Sequence, residues 1–96
     1  MPRRRMYELR ITPGAERDIA KLRQRVSKRD FERLSKAIMN LSEEPYARGV
    51  KKIRGIEGAV FRIRVGSYRI IYNVYDSESQ VQIIEVARRT ETTYRA

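Results

Sequence analysis

The sequence predicts one α+β domain spanning residues 1–96. An N-terminal strand leads into a two-helix hairpin packed on a mostly antiparallel four-stranded sheet, in the order β-α-α-β-β-β. Three observations carry this. Apolar side chains recur at helical spacing over 13–26 and again over 27–41, with almost no link between the two stretches. From residue 60 onward the period drops to two, because successive strand residues point to opposite faces. The last three strand-like runs are consecutive and joined by turn signals, which favours antiparallel pairing, and two amphipathic helices need a sheet to cover.

Taken in order, Arg3, Arg4 and Arg5 form a basic terminus, read either as a loose end or as an extra phosphate contact. Tyr7, Leu9 and Ile11 alternate with Glu8 and Arg10, the pattern of a half-buried strand. Thr12-Pro13 opens the first helix, threonine as N-cap and proline at the first helical position. Ala15, Ile19, Leu22 and Val26 make its apolar stripe. Ser27 starts the second helix, with Asp30 at the capping-box position and Phe31, Leu34, Ile38 and Leu41 as the stripe. Glu43-Glu44-Pro45 ends it, since a residue before proline avoids the helical region. A loop leads to Val50–Arg54, and Gly55 and Gly58 interrupt the chain before VFRIRV. Gly66-Ser67 is a two-residue hairpin signal of the Gly-X kind, and YRIIYNVY returns. Residues 75–79 make a second turn, and 81–87 are the last strand.

Composition narrows the function. The content is 41% hydrophobic and 35% charged, that of a folded domain. No apolar run approaches the roughly 18 residues of a membrane span, and MPRRRMYELR lacks the apolar region of a signal peptide, so a cytoplasmic protein is expected. With neither cysteine nor histidine, the chain cannot build a disulfide framework, a Ser-His-Asp or Cys-His site, or the common zinc ligand sets. No metal or cofactor is expected. The net charge of +10 points to a polyanionic partner.

That charge concentrates on the hairpin. With Phe61, Ile63 and Val65 facing one way, Arg62 and Arg64 face the other, and the returning strand brings Arg69 beside them. Converging guanidinium groups on a flat surface suit a phosphate backbone, because each fork is always charged and matches phosphate oxygens bidentately. The same residues admit plainer readings. Arg62 and Arg64 suit the solvated face of a strand, and Arg69 suits a cross-strand ion pair with Glu85. Phe61, Tyr68, Tyr72 and Tyr75 read as packing residues.

The order KIRG…FRIRVGSYRIIYNV, followed by IIEVARRTETTYR, resembles the RelE toxins of the RelE/ParE toxin–antitoxin superfamily over nearly the whole chain. The resemblance implies an endoribonuclease that enters the ribosomal A site and cuts mRNA there. The substrate's own 2′-hydroxyl attacks the adjacent phosphate without a metal. It also implies a cognate antitoxin, with the ribosome and mRNA as further partners and no membrane. By position it assigns the site to Arg62, Arg64, Arg69, Arg89 and Tyr94, with Arg88 as the alternative to Arg89. Where some relatives carry lysine or histidine, this chain has arginine and none, so charge stabilisation is expected to outweigh acid–base work. A ParE-like gyrase inhibitor and a catalytically inactive antitoxin- or RNA-binding homologue are the competing readings; the FRIR run and basic tail argue against the first.

Overall fold

The computed structural model describes residues 6–53 and 60–88. The elements are β1 (Glu8–Ile11), α1 (Pro13–Arg25), α2 (Lys28–Asn40), β2 (Lys51–Lys52), β3 (Val60–Val65), β4 (Tyr68–Tyr75) and β5 (Gln80–Arg88). Both helices begin as their caps dictate. The Thr12 hydroxyl accepts from the Ala15 amide at 3.2 Å, with Pro13 at the first helical position, and the Ser27 hydroxyl accepts from the Asp30 amide at 3.1 Å.

The strands form one mixed sheet in the order β1-β5-β4-β3-β2. The α+β architecture is the expected one, with two differences in the sheet. It has five strands, because Lys51 and Lys52 pair with Arg62 and Phe61 as a two-residue edge strand, too short to show a period in sequence. The N-terminal strand pairs parallel to β5, placing Leu9 beside Val81. The helical hairpin between them brings the chain back over one face rather than folding it into a hairpin.

That face is the core. Leu34, Ile38 and Leu41 of α2 and its cap, with Ala15 of α1, cover Ile70, Tyr72, Val81, Ile83 and Val86; Phe61, Ile63 and Val65 pack at the margin. The Gly66-Ser67 turn closes the β3–β4 hairpin, and Gly66 takes the positive φ of 58° that such a turn requires of its first residue. Tyr72 is fully buried, and its hydroxyl donates to the Pro45 carbonyl at 2.7 Å, tying the end of the helical layer to the central strand. Burial, and the neighbouring Tyr46, push its pKa well above the usual phenol value, so it stays a donor throughout the working range.

In β5, Tyr72 pairs with Ile83 and Ile71 with Glu85, so Ile84 is an extra residue and the strand bulges. The start of α1 satisfies the displaced backbone. The Thr12 amide donates to the Ile83 carbonyl at 3.0 Å, its hydroxyl to the Ile84 carbonyl at 3.4 Å, and the Val86 amide donates to Asp18 Oδ2 at 3.0 Å.

Two substitutions test these ties by urea unfolding. Tyr72→Phe leaves the buried Pro45 carbonyl without its donor and should cost about 1–3 kcal/mol. Thr12→Val keeps the shape but removes the cap and the hydroxyl's bond to the bulge, and should cost about 1–2 kcal/mol.

Candidate nucleic-acid interface

The face of the sheet turned away from the helices carries the candidate site. Because Ile63 and Ile70 face the helices, their neighbours Arg62, Arg64, Arg69 and Ile71 face the other way. A small apolar cluster of Ile53, Val60, Ile71 and Ile84 floors this surface. Beside it stand the cations. Arg64 is directly opposite Arg69 across the β3–β4 ladder, and Lys51 is directly opposite Arg62 across β2–β3. Directly opposed residues hold their Cβ atoms about 4.5–5.5 Å apart, and like charges there destabilise a sheet. Two such pairs side by side are not what folding stability selects, but they are what a phosphate backbone would neutralise.

Arg62 and Arg69 are half-buried and Arg64 and Lys51 exposed, so the cluster has two partly sheltered members and two open to solvent. The structure therefore brings Arg62, Arg64 and Arg69 together as the sequence implied, and adds Lys51. That lysine went unnoticed because the strand delivering it is two residues long; its one signal was the Lys-Lys-Ile run, with Lys51 and Ile53 sharing a face. Arg89 and Tyr94 lie outside the described residues. Arg88 pairs with the buried Tyr68 and lines a cleft with Leu22, Arg25 and Val26, on the helix side of the sheet. It is on the opposite face from the other three arginines.

Among the described residues, Glu85 is the acidic residue next to the cluster. It pairs with Ile71, one step along the ladder from Arg69, and is half-buried. The ion pairs within 4.0 Å between described residues are Glu8–Arg10 and Asp30–Arg33, so the cross-strand Arg69–Glu85 pair is not formed. Its Oε2 is buried and accepts no hydrogen bond from the described residues. Sequence alternation alone would have turned Glu85 into the core with Val81 and Ile83; the bulge at Ile84 turns it outward. The clue in the sequence was the Ile83-Ile84 doublet, which breaks the period of two. Among the described residues, no three His, Cys, Asp or Glu side chains stand close enough to hold a metal ion.

Chemically, such a surface is suited to gripping and neutralising phosphate. The fold is shared with known toxins. Residues 9–92 match the family described as the ParE toxin of the type II toxin–antitoxin system parDE. Toxin RelE of Mycobacterium tuberculosis is 30% identical over 89 residues, covering 93% of this chain and 87% of that protein. Toxin RelG of the same organism is 34% identical over 85 residues, covering 88% and 93%. Among solved structures, the toxin–antitoxin complex RelBE2 from Mycobacterium tuberculosis is similar with a TM-score of 0.72 at 30% identity, over 95% of this chain and 100% of that one. The isolated Escherichia coli RelE toxin has a TM-score of 0.70 at 24% identity, over 91% of this chain and 88% of that one, a likeness of fold. The chain therefore belongs to the RelE/ParE superfamily of toxins from type II toxin–antitoxin systems.

The like-charge pairs make a prediction. Arg64→Ala should leave the thermal midpoint unchanged or raised, while weakening binding to a single-stranded RNA. The slope of log affinity against log salt should fall by about 0.7, the value for one phosphate no longer neutralised. Parallel melting and filter-binding measurements decide this.

Proposed function

We propose that this toxin is a ribosome-dependent endoribonuclease that cuts mRNA in the A site and so halts translation in the cytoplasm until a cognate antitoxin binds it. The observation that carries the reading is the paired cation cluster, Arg64 opposite Arg69 and Lys51 opposite Arg62, on the sheet face that the helices leave uncovered. The names of the two curated relatives, both RelE-type toxins, support it.

In this mechanism the 2′-hydroxyl attacks the adjacent phosphorus, negative charge builds on the equatorial oxygens, and the 5′-oxygen departs. Arg69, half-buried in the middle of the sheet face, holds the scissile phosphate, with Arg62 beside it. A pre-set guanidinium needs little reorganisation as charge develops, which makes this the dominant contribution. Arg64 and Lys51, more exposed, hold flanking phosphates and align the strand, converting a loose encounter into an oriented one. Arg89 and Tyr94 complete the set by resemblance. A guanidinium is effectively always protonated, so none of the three sheet arginines takes the hydroxyl proton.

The ParE description of the matching family favours a second reading, inhibition of DNA gyrase. One experiment separates the two. In a reconstituted translation system programmed with a defined mRNA, primer extension should map cuts within A-site codons. Arg69→Ala should slow single-turnover cleavage by roughly 100- to 1,000-fold, the scale of losing one transition-state charge donor. Intact mRNA together with blocked gyrase supercoiling would replace the nuclease reading with the gyrase one. Intact mRNA with normal supercoiling would leave an antitoxin- or RNA-binding protein.

A further inference from the structure

We propose that Glu85 is the general base of the cleavage site: its carboxylate takes the proton from the attacking 2′-hydroxyl. This inference rests on the ribonuclease reading above.

The site lacks any other described group that fits. Three of its cations are arginines, the fourth, Lys51, is an exposed ammonium with three donors and no acceptor, and the chain contains no histidine. The other described carboxylates near the sheet are committed elsewhere. Glu8 accepts from Arg10 at 3.2 Å and from Gln80 at 3.0 Å. Asp76 accepts from both Tyr7 and Tyr46, at 2.6 and 2.7 Å, at the far end of β4. Asp18 accepts from the Val86 amide on the helix side. Glu85 alone combines a position on the cationic face with a carboxylate oxygen, Oε2, that is buried and accepts no hydrogen bond from the described residues. Buried polar atoms are nearly always satisfied, and an exception at the edge of a charged site calls for a role.

The placement is specific. Arg69 pairs with Ala87 and Ile71 with Glu85, so Glu85 sits diagonally from Arg69 on the same face, with backbones roughly 7–8 Å apart. Arg62 faces the same space from β3, Arg64 and Lys51 lie beyond it, and Glu85 also borders a cleft with Asp18, Lys21 and Arg25 of α1. The bulge at Ile84 creates the placement, and bulges commonly re-aim side chains beside active sites.

The step balances without a metal or co-reactant other than water. The 2′-O–H proton passes to the Glu85 carboxylate, and the freed electron pair on the 2′-oxygen forms the new bond to phosphorus. The bond from phosphorus to the 5′-oxygen breaks, its pair leaves on that oxygen, and water supplies the proton that makes a 5′-hydroxyl. The products are a 2′,3′-cyclic phosphate and the 5′-hydroxyl fragment. Glu85 then returns its proton to solvent.

The test is single-turnover cleavage of A-site-programmed ribosomes at neutral pH, using wild type, Glu85→Gln and Glu85→Asp. Ribosome affinity and thermal melting are measured for each. Glu85→Gln is expected to fold, to bind ribosomes as wild type does, and to cleave at least about 100-fold more slowly. Glu85→Asp keeps a carboxylate one methylene shorter and should cleave faster than Glu85→Gln and more slowly than wild type. Cleavage by Glu85→Gln within about threefold of wild type overturns the assignment and leaves the ribonuclease reading intact. So does a loss that lies wholly in ribosome affinity. If Glu85→Gln does not fold, Glu85→Asp decides: a slower rate at unchanged ribosome affinity supports the base, and an unchanged rate overturns it. Absence of cleavage by the wild type, by contrast, overturns the ribonuclease reading itself.

Discussion

Strand β5 must serve two neighbours at once, and it does so by carrying one residue too many. Along its first half it pairs with β1 on one side and β4 on the other, with Val81 and Ile83 turned into the core. At Ile84 the ladder slips by one residue. Val86 returns to the core, while Glu85 and Ala87 turn to the open face. A bulge leaves backbone groups out of register, and these cannot be left unsatisfied beside a core. The first turns of α1 provide the partners, through the Thr12 amide and hydroxyl and the Asp18 carboxylate. Helix placement, strand register and the composition of the open face are thus fixed by one local arrangement.

The open face in turn shows a conflict between stability and purpose. A sheet with one covered face is free to expose polar residues on the other, and isolated arginines there would be unremarkable. Directly opposed Arg64 and Arg69, next to directly opposed Lys51 and Arg62, are a different matter, because the nearest positions on a ladder are where repulsion is largest. The apolar cluster of Ile53, Val60, Ile71 and Ile84 lies on the same face, beside the half-buried Arg62 and Arg69. A polyanion removes the conflict on binding. In a type II toxin the same logic serves an acidic protein partner as well as RNA, and fold alone does not choose between them. In the reading proposed above that choice belongs to the chemistry of the surface, where Glu85, diagonal to Arg69, sets a carboxylate beside the cations.

Much of this was legible in the linear chain. Thr12-Pro13 and Ser27 marked the helix starts through their capping chemistry, the stripes of α1 and α2 marked the buried faces, and Gly66-Ser67 marked the hairpin. Once the period of two was recognised in VFRIRV, the shared face of Arg62 and Arg64 followed, and the hairpin delivered Arg69. These are local properties, decided by residues close in sequence, so the sequence by itself determined them. The parallel pairing of β1 with β5, the edge strand that brings Lys51 to Arg62, and the slip at Ile84 were decided only by the tertiary structure. Each depends on segments far apart in the chain: Lys51 gains its position from β3, and Glu85 faces the arginines because Thr12 and Asp18, roughly seventy residues away, hold the bulge in β5. The basic hairpin could be read from its own residues; the acidic group beside it could not, since strand alternation taken alone turns that side chain into the core.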